Sequence, residues 1–133
     1  MSEDNVDAIR HVYDEWGRGN FRPKFDVYDD DMEWGWSDDF PGLAGVYQDA
    51  AERNERLHAW LSPWEHWRCE AEEFVAHGDH VVVLARYTGR GKGSGVGVDT
   101  KGAHLWTMRD GKAIRLEIFA DRARALAAVG LAG

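Results

Sequence analysis

Near the start of the chain, apolar residues recur at three- and four-residue intervals: Ile9, Val12, Tyr13 and Trp16. That period places them on one stripe of an amphipathic helix, with Ser and Asp residues from Ser2 onward as N-terminal caps and Gly17 and Gly19 as its end. Pro23 restarts the chain for an expected helical turn through Phe25, Val27 and Tyr28. After the acidic run Asp29, Asp30 and Asp31 the apolar period shortens to two, at Met32, Trp34 and Trp36, which predicts a strand. The stretch DDFPGLAGVY reads as a loop, and the spacing of Ala51, Leu57, Trp60 and Leu61 predicts a second helix from about Gln48, stopped by Ser62 and Pro63. Four strands follow, at roughly Trp67 to Ala76, Val81 to Lys92, Val96 to Met108 and Lys112 to Phe119. Tight turns are expected at HGDH, 77–80, and at Arg109, Asp110 and Gly111, and a short helix from Asp121 to Val129 closes the pattern.

Helices early and strands late make the fold class α+β, with a mostly antiparallel sheet covered on one face by helices. At 133 residues the chain is expected to form one domain, 1–133. Sixteen Lys and Arg against 24 Asp and Glu give a net charge of −8, a field that repels a phosphate backbone, so no nucleic-acid partner is expected. No run approaches the roughly 18 apolar residues of a membrane span, and the N-terminus lacks a basic region followed by an apolar one. A soluble, cytoplasmic protein without membrane contact is expected. Cys69 is the only cysteine, which excludes an intrachain disulfide and reads as a small buried apolar residue.

The stretch GRGKGSGVG, 89–97, carries glycine at every second position. Neither a P-loop nor a dinucleotide fingerprint has that interval, so a phosphate cradle is not expected. In extended conformation all five glycines would share one face, leaving room for a bend or a close neighbour. A plain hairpin tip between two strands is the alternative.

Seven tryptophans in so short a chain must line something. Trp34, Trp36, Trp60, Trp64, Trp67 and Trp106 cluster as for an aromatic pocket or interface, and Trp34, Trp36, Trp60, Trp64 and Trp106, with Met108, are its candidate walls. In the hairpin over 103–119, His104 shares a face with Trp106 and Met108, and on such an apolar surface it is a candidate general acid or base near neutral pH. Tyr13, on the buried stripe of the first helix, is a candidate hydrogen-bond donor to a carbonyl or enolate oxygen. Asp38, at the rim beyond Trp36, and Glu117, inside an apolar strand, are the candidate carboxylates. Core roles are the competing reading for each: a histidine bonded to a carbonyl, a capped tyrosine, an ion pair on the outer sheet face. His77, His80, His58 and His66 lack ligand spacing, so no metal is expected.

The segments VYDEWGRGNF, YDDDMEWGW, EEFVAHGDHVVVLARYTGRGKGSG and AHLWTMRDGKAIRLEIFADRARAL together resemble the NTF2-like superfamily, in its SnoaL-like branch, over nearly the whole chain. The resemblance implies a cone-shaped curved sheet wrapped around N-terminal helices, a deep apolar pocket and often a homodimer. Relatives include ketosteroid isomerase, polyketide cyclases, scytalone dehydratase and limonene epoxide hydrolase, and fold alone does not choose among them. Polyketide cyclases of this type place a histidine where His104 stands, with an acidic partner on the last strand. That partner falls at about Ile118, one residue from Glu117, and one residue along a strand is the other face. The reading that follows is a cofactor-independent acid–base enzyme, of isomerase, cyclase or dehydratase type, acting on a hydrophobic carbonyl-bearing or polycyclic small molecule. The rival is a non-catalytic ligand-binding or dimerisation module on the same fold.

Overall fold

The computed structural model describes residues 2–21, 25–36, 45–47, 55, 58–59 and 61–130. Helix α1 (Ser2–Gly17) turns Val6, Ile9, Val12, Tyr13 and Trp16 into the core, the stripe its sequence spacing predicts. It ends where Gly19, with φ 86°, donates its N–H to the Trp16 carbonyl; the left-handed conformation there suits glycine. Strands β1 (Tyr28–Trp36), β2 (Gly45–Tyr47), β3 (Trp64–His77), β4 (His80–Gly91), β5 (Gly97–Arg109) and β6 (Lys112–Phe119) precede the last helix, α2 (Arg122–Ala128).

The strands form one sheet in the order β2-β1-β6-β5-β4-β3, with β1 parallel to β6 and every other pair antiparallel. Register breaks in β3, between Glu65 and Arg68 and again between Ala71 and Glu73, add the local bend of β-bulges. His66 lies in the first break with φ 56°. The curved inner face packs on α1, while α2 covers the outer face of β4, β5 and β6, giving a second small core of Val82, Ala103, Leu105, Phe119 and Ala125. Asp121 caps α2 by accepting from the Ala123 N–H at 2.9 Å, and Arg122 donates to the Ala85 and Gly102 carbonyls, clamping α2 across β4 and β5. A central strand covered on both faces explains why β5 reads as nearly continuous burial from Gly102 to Trp106.

Two expectations shift. The turn through Phe25, Val27 and Tyr28 is not helical: the Tyr28 N–H bonds the Phe25 carbonyl, and β1 has begun at Tyr28 because pairing with β6 extends it. The glycine stretch is a hairpin tip rather than a bare-faced ribbon. Gly93 and Gly95 take left-handed conformations, and the Gly91 N–H closes the loop on the Val96 carbonyl at 2.9 Å. Of the second helix, Glu55, His58, Ala59 and Leu61 are helical, and the remainder, Trp60 included, lies outside the described residues, as does Asp38. No helix among the described residues is long and apolar enough to cross a membrane.

Candidate functional site

Inward-facing residues from five strands and α1 surround a cavity on the inner face of the sheet. Trp16, with Phe21 just beyond the helix, forms one side, and Trp34 and Trp36 of β1 form another. Trp67 and Cys69 of β3, Tyr87 of β4, His104 of β5, Ile118 of β6 and Leu61 complete it. The described walls leave about 50 Å³, room for a few waters or one flat group, so a larger ligand must displace Phe21, Leu61 or Ile118, the half-buried members.

Tyr87 reaches this cavity because of two glycines. It stands opposite Thr100 in the β4–β5 ladder, four pairs away from His104, and its ring lies across the site of Gly102, between them. A Cβ at Gly102 would sit 2.8 Å from Tyr87 Cε2. A Cβ at Gly89 would likewise sit 2.6 Å from Trp67 Cε3, and Trp67 is the ring on which Tyr87 stacks, at 5.6 Å between centroids.

His104, 2 % exposed, holds a tyrosine hydroxyl on each ring nitrogen: Tyr13 on Nδ1 and Tyr87 on Nε2, both at 2.6 Å. The indole Nε1 of Trp106 donates to the Tyr13 oxygen at 2.7 Å. Two tautomers of His104 are open, and each leaves one tyrosine hydrogen over: a hydrogen on Nδ1 would strand that of Tyr13 in the core, whereas a hydrogen on Nε2 leaves that of Tyr87 at the cavity wall. The second arrangement costs less, so Tyr13 accepts from Trp106 and donates to Nδ1, and His104 donates from Nε2 to Tyr87. The hydroxyl hydrogen of Tyr87 has no acceptor among the described residues.

Burial sets the charge states. Desolvation lowers the His104 pKa to about 3, so the imidazole is neutral at physiological pH. Desolvation raises both tyrosines well above the ordinary phenol range, so they remain neutral donors. It also keeps the Cys69 thiol protonated. With both ring nitrogens hydrogen-bonded to tyrosines and the ring buried, the geometry favours the competing reading of His104, a hydrogen-bonded neutral imidazole, over a base exchanging protons near neutrality.

Other candidates separate. Trp34 and Trp36 line the cavity. Trp106 is fully buried behind it and acts through its N–H, Met108 belongs to the core, and Trp64 backs Trp67 at 5.2 Å, so these three are not its walls. Glu117 pairs with Leu105 in the β5–β6 ladder and so turns to the outer face, 3.5 Å from Arg115, whereas Ile118 stands opposite His104. No carboxylate partner for His104 occurs among the described residues, and no group of three His, Cys, Asp or Glu there could hold a metal ion. Trp16, Phe21, Leu61, Cys69, Ile118 and Tyr87 are wall residues that the sequence did not single out. The alternation Val81, Val83, Ala85, Tyr87 was a usable signal for the last, since a period of two carries the inward stripe to position 87.

The model of the SnoaL-like domain family matches residues 9–116. Among solved structures, an NTF2-like protein of unknown function from Burkholderia pseudomallei K96243 superposes with a TM-score of 0.75 at 22 % identity, covering 98 % of this chain and 99 % of its own. TerC, co-crystallised with polyporic acid, gives 0.72 at 27 % identity, covering 95 % and 97 %. A candidate SnoaL-like polyketide cyclase from Jannaschia sp. CCS1 gives 0.73 at 22 %, covering 97 % and 93 %. No curated protein sequence matches the chain.

Proposed function

The chain belongs to the SnoaL-like domain family, and from that premise we propose that its cavity binds a flat hydrophobic ketone and promotes enolisation, the step shared by isomerisation, cyclisation and dehydration next to a carbonyl. One observation carries the reading: buried His104 holds the Tyr87 hydroxyl at Nε2, 2.6 Å away, and in the favoured tautomer this leaves the Tyr87 hydrogen free at a mostly apolar cavity wall. A carbonyl oxygen meeting that hydrogen gains a donor that strengthens as charge develops, in surroundings that screen it little. The α-proton passes to a carboxylate, the C–H electron pair forms the C=C bond, and the carbonyl pair moves to the oxygen held by Tyr87. Asp38 is the proposed base on sequence alone, two residues beyond the cavity residue Trp36. The likeness to TerC supports a small-molecule ligand.

Deuterium exchange next to the carbonyl of α-tetralone in D₂O, followed by proton NMR, tests the proposal. Wild-type protein should speed the exchange, and Tyr87→Phe should lower that rate by about 10²- to 10³-fold, the usual cost of one such donor. Binding of α-tetralone without exchange would favour the ligand-binding module; no binding would refute the ketone itself.

A further inference from the structure

We infer that Trp16 is a second hydrogen-bond donor of this cavity, and that the physiological ligand carries a second oxygen acceptor to meet it. The inference rests on the reading that the cavity takes a ketone at Tyr87, and it narrows the ligand to a dioxygenated flat ring system.

Trp16 is 5 % exposed and lines the cavity, and its Nε1 is buried without a hydrogen-bond partner among the described residues. The acceptors around it are already engaged. Its ring meets His104 edge-on at 5.7 Å and Tyr13 at 5.1 Å between centroids. Yet both His104 nitrogens are bound to tyrosines, and the Tyr13 oxygen already takes the Trp106 N–H. A phenylalanine at position 16 would present an apolar wall without stranding a donor, so the unanswered N–H marks a group the apo protein does not supply. The other open polar groups on the wall have the same character. Tyr87 offers a hydroxyl hydrogen, and Cys69 offers a protonated thiol. Such a wall selects for acceptors, and a ketone paired with a hydroxyl or second carbonyl oxygen fits it.

Calorimetric titration of wild-type, Trp16→Phe and Tyr87→Phe proteins with tetralin, α-tetralone and the series of monohydroxylated α-tetralones tests this. At least one hydroxylated ketone should bind wild type about tenfold more tightly than α-tetralone, the factor that one ordinary hydrogen bond supplies. Trp16→Phe should abolish that gain, read as the ratio of hydroxylated-ketone to α-tetralone affinity within the variant, whatever the change in wall packing does to both. A gain that survives in Trp16→Phe, or no gain for any congener, would overturn the inference. Failure of the ketone reading looks different: α-tetralone would then bind wild type no better than tetralin, or Tyr87→Phe would leave that difference intact. Should Trp16→Phe not fold, the indole N–H resonance of Trp16 in the wild-type protein decides. It should move downfield with the preferred hydroxylated ketone and not with α-tetralone, and an unmoved resonance refutes the donor role.

Discussion

Replacing Tyr13 by Phe keeps the ring and deletes one oxygen, and that oxygen serves two partners. The Trp106 Nε1–H loses its acceptor at 2.7 Å, and His104 Nδ1 loses its donor at 2.6 Å. Both stranded atoms lie in residues that are 0–2 % exposed, so water cannot replace the oxygen. An unsatisfied buried polar group costs about 1–3 kcal/mol, so two cost about 2–6 kcal/mol, a large share of the roughly 5–15 kcal/mol that holds a domain together. Tyr87→Phe strands only the Nε2–H of His104, at the cavity wall where a water has room, and should cost about 1–2 kcal/mol. Urea unfolding followed by far-UV circular dichroism gives both values without any ligand, with an unchanged m-value confirming a loss of stability rather than of compactness. The tautomer argument requires Tyr13→Phe to be the more destabilising by at least about 1 kcal/mol. Equal losses, or the reverse order, would show that Tyr13 is not the doubly engaged member and would reverse the direction assigned to the chain.

Three further outcomes follow from the same geometry. His104 has a folded-state pKa of about 3 against an ordinary 6.5, so the unfolded chain binds the proton first as pH falls. Its contribution is whole above about pH 6.5 and is lost toward pH 3 at about 1.4 kcal/mol per pH unit, a slope between pH 7 and 5 that His104→Gln should lack in urea titrations. Gly102→Ala should cost about 1–3 kcal/mol and abolish α-tetralone binding, because the new Cβ meets both Tyr87 Cε2 at 2.8 Å and the Phe119 carbonyl at 2.9 Å, and backbone cannot step aside. Gly89→Ala meets only the Trp67 indole, so calorimetry should find weakened ligand binding with a smaller stability loss than Gly102→Ala in the same urea series.

The inward stripes of α1, β4 and β5 were legible because periodicity reports burial directly, and the Asp110–Gly111 turn because two positive-φ positions, 53° and 77°, demand such residues. His104 and Tyr13 could be picked out as inward-facing polar groups, but their contact, 91 residues apart in sequence, could not, since no local pattern encodes which inward residues meet. Glu117 shows the limit from the other side. An acidic residue in an apolar strand looks like a buried carboxylate until the register fixes its face, and here the pairing with Leu105 sends it outward. The glycine stretch misled for a similar reason. Period two is necessary for a strand face and insufficient for one, because Gly93 and Gly95 spend their freedom on left-handed turns while Gly89 spends its missing Cβ on Trp67.

The direction of the buried hydrogen bonds matters more to the chemistry than the identity of any one member. Trp106 can only donate, and of the two tautomers open to His104 the one that strands no hydrogen in the core has Tyr13 donating to His104 and His104 donating to Tyr87. Every O–H or N–H dipole along the path therefore points the same way, from the core toward the cavity, and successive bonds polarise one another in a medium that screens poorly. The positive end emerges at the Tyr87 hydroxyl. A chain of the opposite sense would present lone pairs there and would favour taking a proton; this one favours holding an oxygen as it becomes negative. An imidazole that cannot readily be charged is suited to that task, because a His104 that titrated near neutrality would surrender the fixed polarity whenever it gained a second proton. The neutral, buried histidine and the donor it presents at the cavity wall are thus two consequences of one arrangement, anchored by an indole that does not line the cavity.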